Sequence, residues 1–257
     1  MGGIAVVRSR RNNPAVDSSL NAPNMFETHT YDDPTVLPAK ARDHWEFMET
    51  NSAAAVMQAV CSSEWLDIIA VLSNYRLSPE YWLKAGGNRG DIAAQIDNLF
   101  SVRGWRQARL DLETKGILLN DKNAVIGELP PVRQEGYLVD NYKGRVVLDV
   151  EWNAKDGNLD RDLASYRSWY EAGVISAAVI ITKDRRRLLK LAREIWSEYQ
   201  STRPKAKRTV ELPMDLKTST VTSFDKAQMR VRRGVMGTCP VLIVAASERT
   251  WDRKPYR

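Results

Sequence analysis

The sequence predicts an α/β protein in which a central mixed β-sheet is flanked by helices, and three observations carry that expectation. Val174 to Thr182 is short, nearly all apolar and rich in Val and Ile, the mark of a strand covered on both faces. It follows a helical pattern over Leu159 to Glu171 and an earlier β-branched run ending near Trp152, so strand, helix and strand succeed one another and imply a parallel crossover. Ahead of that run, turn formers from Asn141 to Gly144 predict a hairpin, which adds an antiparallel neighbour.

The remaining elements follow along the chain. Residues 1–42 carry Gly, Asn, Pro, Ser and Arg with little periodicity and are expected to form a flexible N-terminal arm, leaving 43–257 as a single domain. From Asp43 to Asn74 apolar residues recur at three- and four-residue steps, which predicts two helices with a break near Cys61. Gly86, Gly87 and Gly90 flank Asn88 and Arg89 and lead into a helix starting at Asp91 and ending near Arg103-Gly104. Such a turn offers backbone amides to an anion, and it reads equally as a plain loop before a capped helix. Arg106 to Gly136 reads as strand, polar turn and loop, with Pro130-Pro131 expected to prevent any regular ladder. Asp184 to Gln200 predicts a helix with Leu188, Leu191, Ile195 and Trp196 inward, and Pro240 to Ala246 predicts a closing core strand.

The candidate chemistry lies in Tyr137 to Lys155. Alternate side chains of a strand share a face, so Leu148, Val150 and Trp152 are expected in the core while Asp149, Glu151, Asn153 and Lys155 line the other side. The hairpin returns Asp140 beside Asp149 and Glu151. Three carboxyls that close raise one another's pKa unless a cation lies among them, and hard oxygen donors suit magnesium or manganese better than zinc. On spacing alone, a surface hairpin with solvated acids is an equal reading.

Composition narrows the field. The 257 residues include 38 Lys plus Arg against 32 Asp plus Glu, a formal charge of +6. The acids gather around the hairpin while cations dominate from Lys183 onward, in Arg185 to Arg187, Arg203 to Arg208 and Arg230 to Arg233, a separation that suits a metal site ringed by phosphate-binding cations. Cys61 and Cys239 fit no metal spacing and are expected to be reduced core residues of a cytoplasmic protein. His29 and His44 provide no set for histidine-based zinc chemistry, and no run is long enough to cross a bilayer.

Val139-Asp140, eight residues, then Asp149-Val150-Glu151 resembles the active-site pattern of the PD-(D/E)xK nucleases, and most closely the BglII family of type II restriction endonucleases. The segments Glu151 to Asp156 with Asp160-Arg161-Asp162-Leu163, Gly86 to Arg89 with Gly104-Trp105, and Ser219-Thr220 ahead of Gly237 to Leu242 are similar to segments of that family, in the same order, over roughly Ala54 to Ala246. The resemblance implies a restriction-endonuclease-like fold. It also implies hydrolysis of double-stranded DNA with Mg2+, for which Mn2+ substitutes, by a homodimer that has a cognate DNA methyltransferase. By position, Asp140 and Asp149 become metal ligands with the Val150 carbonyl, and Glu151 stands where the wider class has lysine. Asp149 departs from the commoner Glu by one methylene. Asn88, Arg89, Asn153, Lys155, Ser219, Thr220, Lys226 and Arg230 become the DNA-contact candidates, Asn suiting adenine and Lys guanine. The rival readings are a repair or structure-selective nuclease of the same fold, a DNA-binding protein without catalysis, and an adaptor domain with a solvated acidic hairpin.

Overall fold

A seven-stranded mixed sheet organises the computed structural model, which describes residues 26–83, 90–212 and 220–257. The chain begins with β1 (Glu27–Thr28), α1 (Ala39–Arg42), β2 (Trp45–Thr50), α2 (Ala53–Val60), α3 (Ser62–Asn74), α4 (Pro79–Trp82) and α5 (Asp91–Ser101). After β3 (Arg106–Arg109) comes an excursion of four short strands, β4 (Leu112–Thr114), β5 (Ile117–Leu119), β6 (Val125–Glu128) and β7 (Val132–Gln134). Then follow β8 (Leu138–Lys143), β9 (Val146–Val150), α6 (Asp156–Glu171), β10 (Ala177–Lys183), α7 (Arg185–Thr202), α8 (Phe224–Arg232) and β11 (Val241–Ala246). The strand order is β1-β2-β11-β10-β9-β8-β3. β9, β10 and β11 run parallel, and the flanking pairs run antiparallel, so the expected hairpin and crossover both stand.

Both faces of the three parallel strands are covered, which is why they carry apolar residues almost without interruption. Leu148, Val150, Val179, Ile181, Leu242 and Val244 face one core with Met57, Ile68, Ile96, Phe100, Leu188 and Ile195 from the helices on that side. Val147, Ile180, Val241 and Ile243 face a second core with Leu163, Tyr166 and Trp169 of α6 and Val231 of α8. At roughly 1.5–3 kcal/mol for each fully buried large aliphatic side chain, these two layers dominate the stability of the sheet. Cys61 and Cys239 are buried free thiols, as expected. No helix among the described residues is long and apolar enough to cross a membrane.

Three expectations change. Trp45–Thr50 is a strand, although its apolar spacing had been read as helical. Six residues are too few for periodicity to separate the two, and antiparallel pairing with β11 decides the outcome. Positive φ values at Asn51 and Ser52 then separate this strand from α2. The segment before β8 does form ladders, β4 with β7 and β5 with β6, because Pro130-Pro131 falls in the connection between β6 and β7, where no ladder N–H is needed. Finally, the expected arm belongs to the fold from residue 26 onward. Leu37 and Ala41 are fully buried, Tyr31 stacks on Phe47 with centroids 5.5 Å apart, and the Trp65 indole donates to the Val36 carbonyl at 3.0 Å. Residues 1–25 lie outside the described residues.

The excursion leaves and rejoins the fold at a tight crossing. A Cβ on Gly136 would lie 1.6 Å from the Leu110 carbonyl oxygen, and the Gly136 N–H donates to Asp111 at 3.0 Å. Gly136→Ala is therefore expected to destabilise the protein by about 3 kcal/mol, because backbone rather than a mobile side chain must yield. Urea unfolding checks this, and an unchanged midpoint would show that the crossing is looser than it looks.

Candidate active site

The hairpin turns at Gly144, whose φ of +52° suits glycine, and ladder pairing between β8 and β9 runs only from Lys143 with Val146 to Asn141 with Leu148. Beyond that point side chains replace the ladder. Asp149 Oδ1 accepts the Asp140 N–H at 2.8 Å, and Asp140 Oδ2 accepts the Val150 N–H at 3.0 Å. Each acid thus holds the backbone of the opposite strand, and the two carboxyls are fixed across the hairpin.

α6 covers the face of the hairpin that carries the acids, so the solvated surface hairpin that spacing alone left open is not what forms. Tyr166, fully buried on α6, donates its hydroxyl to Asp149 Oδ2 at 2.5 Å, and Tyr137 donates to the same oxygen at 2.7 Å. Tyr137 is itself stacked on Trp169, with centroids 5.4 Å apart. Burial pushes the Asp149 carboxyl up to about 6 despite these donors. Glu151, 6 % exposed, is pushed up to about 9, first by burial and then by the charges of Asp162, Asp149 and Asp140. Asp162 projects from α6 with no exposed surface; burial raises its pKa, and the Arg161 guanidinium opposes that rise. Glu151 Oε2 and Asp162 Oδ2 are buried without a hydrogen-bond partner.

These groups border a polar cavity of about 320 Å³ whose lining includes Asp140, Asp149, Val150, Glu151, Asn153 and Arg161. Asp97 and Gly90 of the α5 end line it as well. A Cβ on Gly90 would lie 3.2 Å from Asn153 Nδ2, so the start of α5 abuts the strand exit. Among the described residues, no three His, Cys, Asp or Glu side chains are grouped so that together they could hold a metal ion. The donor set nevertheless fits a magnesium-like ion, which takes one or two carboxylates and keeps several waters. It is all oxygen, the acids are held together against their mutual repulsion, and the Glu151 Oε2 atom is orphaned in a nearly buried position.

The other sequence candidates divide. The expected alternation stops at Val150, and the chain bends before α6, so Asn153 reaches the cavity from a bend, whereas Lys155 caps α6 and is exposed. Lys183, nearly fully buried, lies 5.0 Å from the centroid of the Trp152 ring and 3.5 Å from Asn153 Oδ1. Thr220 is exposed and comes beside this exit through the Lys155–Val221 bridge and a Thr222 N–H donated to the Ala154 carbonyl at 2.9 Å. Lys226 donates to the Val221 carbonyl at 2.9 Å, and Arg230 grips both Asp160 oxygens at 2.9 Å, so these two cations tie α8 to its surroundings. Asn88, Arg89 and Ser219 lie outside the described residues. The sequence reading missed Tyr137, Arg161, Asp162 and Tyr166 as parts of the site. A signal was present, because Asp162 and Tyr166 stand four apart on the inward stripe of α6, where an acid has no reason to be unless it meets a partner.

The raised pKa values carry a sign. A carboxyl that holds its proton more tightly when folded contributes stability fully present below its ordinary value, near 4, and lost as pH climbs through the folded value. For Glu151 that loss extends from its ordinary 4.5 up to about 9. Glu151→Gln is therefore expected to raise the melting temperature relative to the parent at about pH 9 and to give no such gain at about pH 4. Parallel melting curves for the two proteins across that range would expose the opposite trend.

Comparison with known proteins gives the same direction. The chain matches the model of the family described as Restriction endonuclease BglII/BglIII over residues 45–246, a span from β2 through β11 that contains every lining residue named above. No curated protein matches it. A mixed sheet with a hairpin of acids beside a polar cavity, within a match covering most of the sequence, places this chain in the BglII/BglIII family of restriction endonucleases, with the restriction-endonuclease-like fold.

Proposed function

We propose that the protein is a type II restriction endonuclease that hydrolyses phosphodiester bonds at a specific double-stranded DNA sequence, using Mg2+ or, in its place, Mn2+. The observation that carries this reading is the mutual clasp of Asp140 and Asp149, with Glu151 buried beside them on a polar cavity. Acids in that arrangement repel a phosphate unless a cation intervenes. Nucleases of this family normally use a divalent metal, and family membership implies DNA binding.

Asp140, Asp149 and the Val150 carbonyl are the groups that would hold the ion. When bound, it lowers the pKa of a coordinated water and offsets charge on the phosphate. The chain's own residues do the rest. Tyr137 and Tyr166 hold the Asp149 carboxyl in one orientation, each such hydrogen bond to a charged group contributing about 1.5–3 kcal/mol. Glu151 would orient the attacking water from a position fixed by its own N–H, which donates to the Ile181 carbonyl at 2.8 Å, and it would take up the water's proton once a bound cation has offset the neighbouring acids and displaced the proton Glu151 holds. Asn153, Lys155 and Thr220, gathered where the chain leaves β9, contact the DNA. A two-fold symmetric homodimer fits a palindromic site, and a methyltransferase of the same specificity protects the host DNA in the cytoplasm.

With magnesium, the purified protein is expected to cut unmodified plasmid DNA into discrete fragments, whereas Asp140→Ala and Asp149→Ala remove cutting but keep DNA binding. A smear, or bands indifferent to those substitutions, rejects the assignment, and sequencing the cut ends gives site and stagger. In calcium the protein is expected to bind its site without cleaving it, as read by gel shift beside a digestion lane. Brisk cleavage in calcium alone would contradict the role given to the acids.

A further inference from the structure

We propose that Arg161 is a catalytic residue that grips the phosphate under attack and supplies from α6 the positive charge that β9 does not provide. The proposal rests on the nuclease reading above. The described lining of the cavity carries four acids, Asp97, Asp140, Asp149 and Glu151, and a single cation, Arg161. A site that must draw a DNA phosphate toward three of those acids needs a fixed cation near them, and within the described lining Arg161 is the one in place.

Its placement is imposed by its neighbours. Adjacent residues on a helix project in different directions and do not ordinarily meet. Here the Arg161 Nε and Nη2 groups both donate to Asp162 Oδ1, at 2.9 and 2.7 Å, so an otherwise mobile side chain is drawn back toward the acids. Its guanidinium carbon stands 4.3 Å from the centroid of the Tyr137 ring, and Tyr137 also bonds Asp149. Asp162 and Tyr137 are thus positioning residues for the arginine. The side chain remains half exposed, and the Asp162 contact engages two of its five N–H donors, leaving the rest of the fork to match the oxygens of a phosphate.

Arg161 makes and breaks no covalent bond. The water oxygen joins phosphorus as its proton passes to the Glu151 carboxylate, the P–O bond to the leaving sugar oxygen breaks with its electron pair, and that oxygen takes a proton from solvent water. Throughout, Arg161 donates hydrogen bonds to the non-bridging oxygens as their charge grows, an arrangement that stabilises the transition state more than the bound substrate. The plain structural alternative is that Arg161 only neutralises the buried Asp162.

Single-turnover cleavage of plasmid DNA with magnesium separates these accounts. Arg161→Met is expected to slow cleavage by about 100-fold while DNA affinity in calcium, read by fluorescence anisotropy, changes little. The double variant Arg161→Met/Asp162→Asn is expected to stay as slow. Recovery of the parent rate would mean that Arg161 serves only to neutralise Asp162, and would overturn the proposal. If the Met variant melts early, Arg161→Lys carries the test, because it keeps the charge beside Asp162 and loses the planar fork. A rate lower by about 10-fold supports the proposal, and an unchanged rate overturns it. Failure of the parent protein to cut any DNA rejects the nuclease reading and the proposal together. Cutting by the parent and Arg161→Met at equal rates rejects the proposal alone.

Discussion

The clasp in which Asp149 accepts the Asp140 amide and Asp140 accepts the Val150 amide is the constraint on which the rest of the site depends. Where a regular hairpin would continue its ladder, each strand instead gives an N–H to a carboxylate of the other. Loss of either acid leaves a donor without its acceptor, a cost of about 1–3 kcal/mol where the group is shielded from water. That cost keeps the carboxyls in register at the cavity through contacts within the chain alone.

Burial then decides how the acids behave. α6 packs over β9 from one side and the core of α2, α3 and α5 from the other, so water reaches Asp149 and Glu151 hardly at all. Charge in such a place must be met by a proton, a donor or a cation. Asp149 meets two tyrosine hydroxyls, Asp162 meets Arg161, and Glu151 lies against Asp162 and keeps a proton well above the usual carboxylate range. The basic surplus of the chain is not all surface for a polyanion. Arg187 pairs with Glu46 and Glu248, and Arg230 with Asp160, so part of it braces a helix against the sheet and two helices against each other.

Much of this was legible in the sequence, for identifiable reasons. The β9, α6 and β10 succession follows from short apolar runs separated by a long helical pattern, and the hairpin follows from its turn formers, so Asp140, Asp149 and Glu151 were placed together without coordinates. Trp45–Thr50 was misread because a six-residue run satisfies either period, and only its partner β11 resolves the ambiguity. Residues 26–42 looked like an arm because their order comes from contacts distant in sequence, such as Trp65 with Val36, and not from local pattern. The α6 side of the site stayed hidden for a related reason. Alternation along a strand says which side chains share a face, and it is silent on what a following helix lays over that face.

The position of Tyr166 has one more consequence. It reaches Asp149 from only 17 residues away, and the Asp140 contact with Val150 spans 10, so the floor of the cavity is wired within one hairpin and the helix that follows it. Contacts this close in sequence close cheaply and early when a chain collapses. The clasp therefore closes at a smaller loop-entropy cost than the pairing of β2 with β11, which joins segments far apart in sequence.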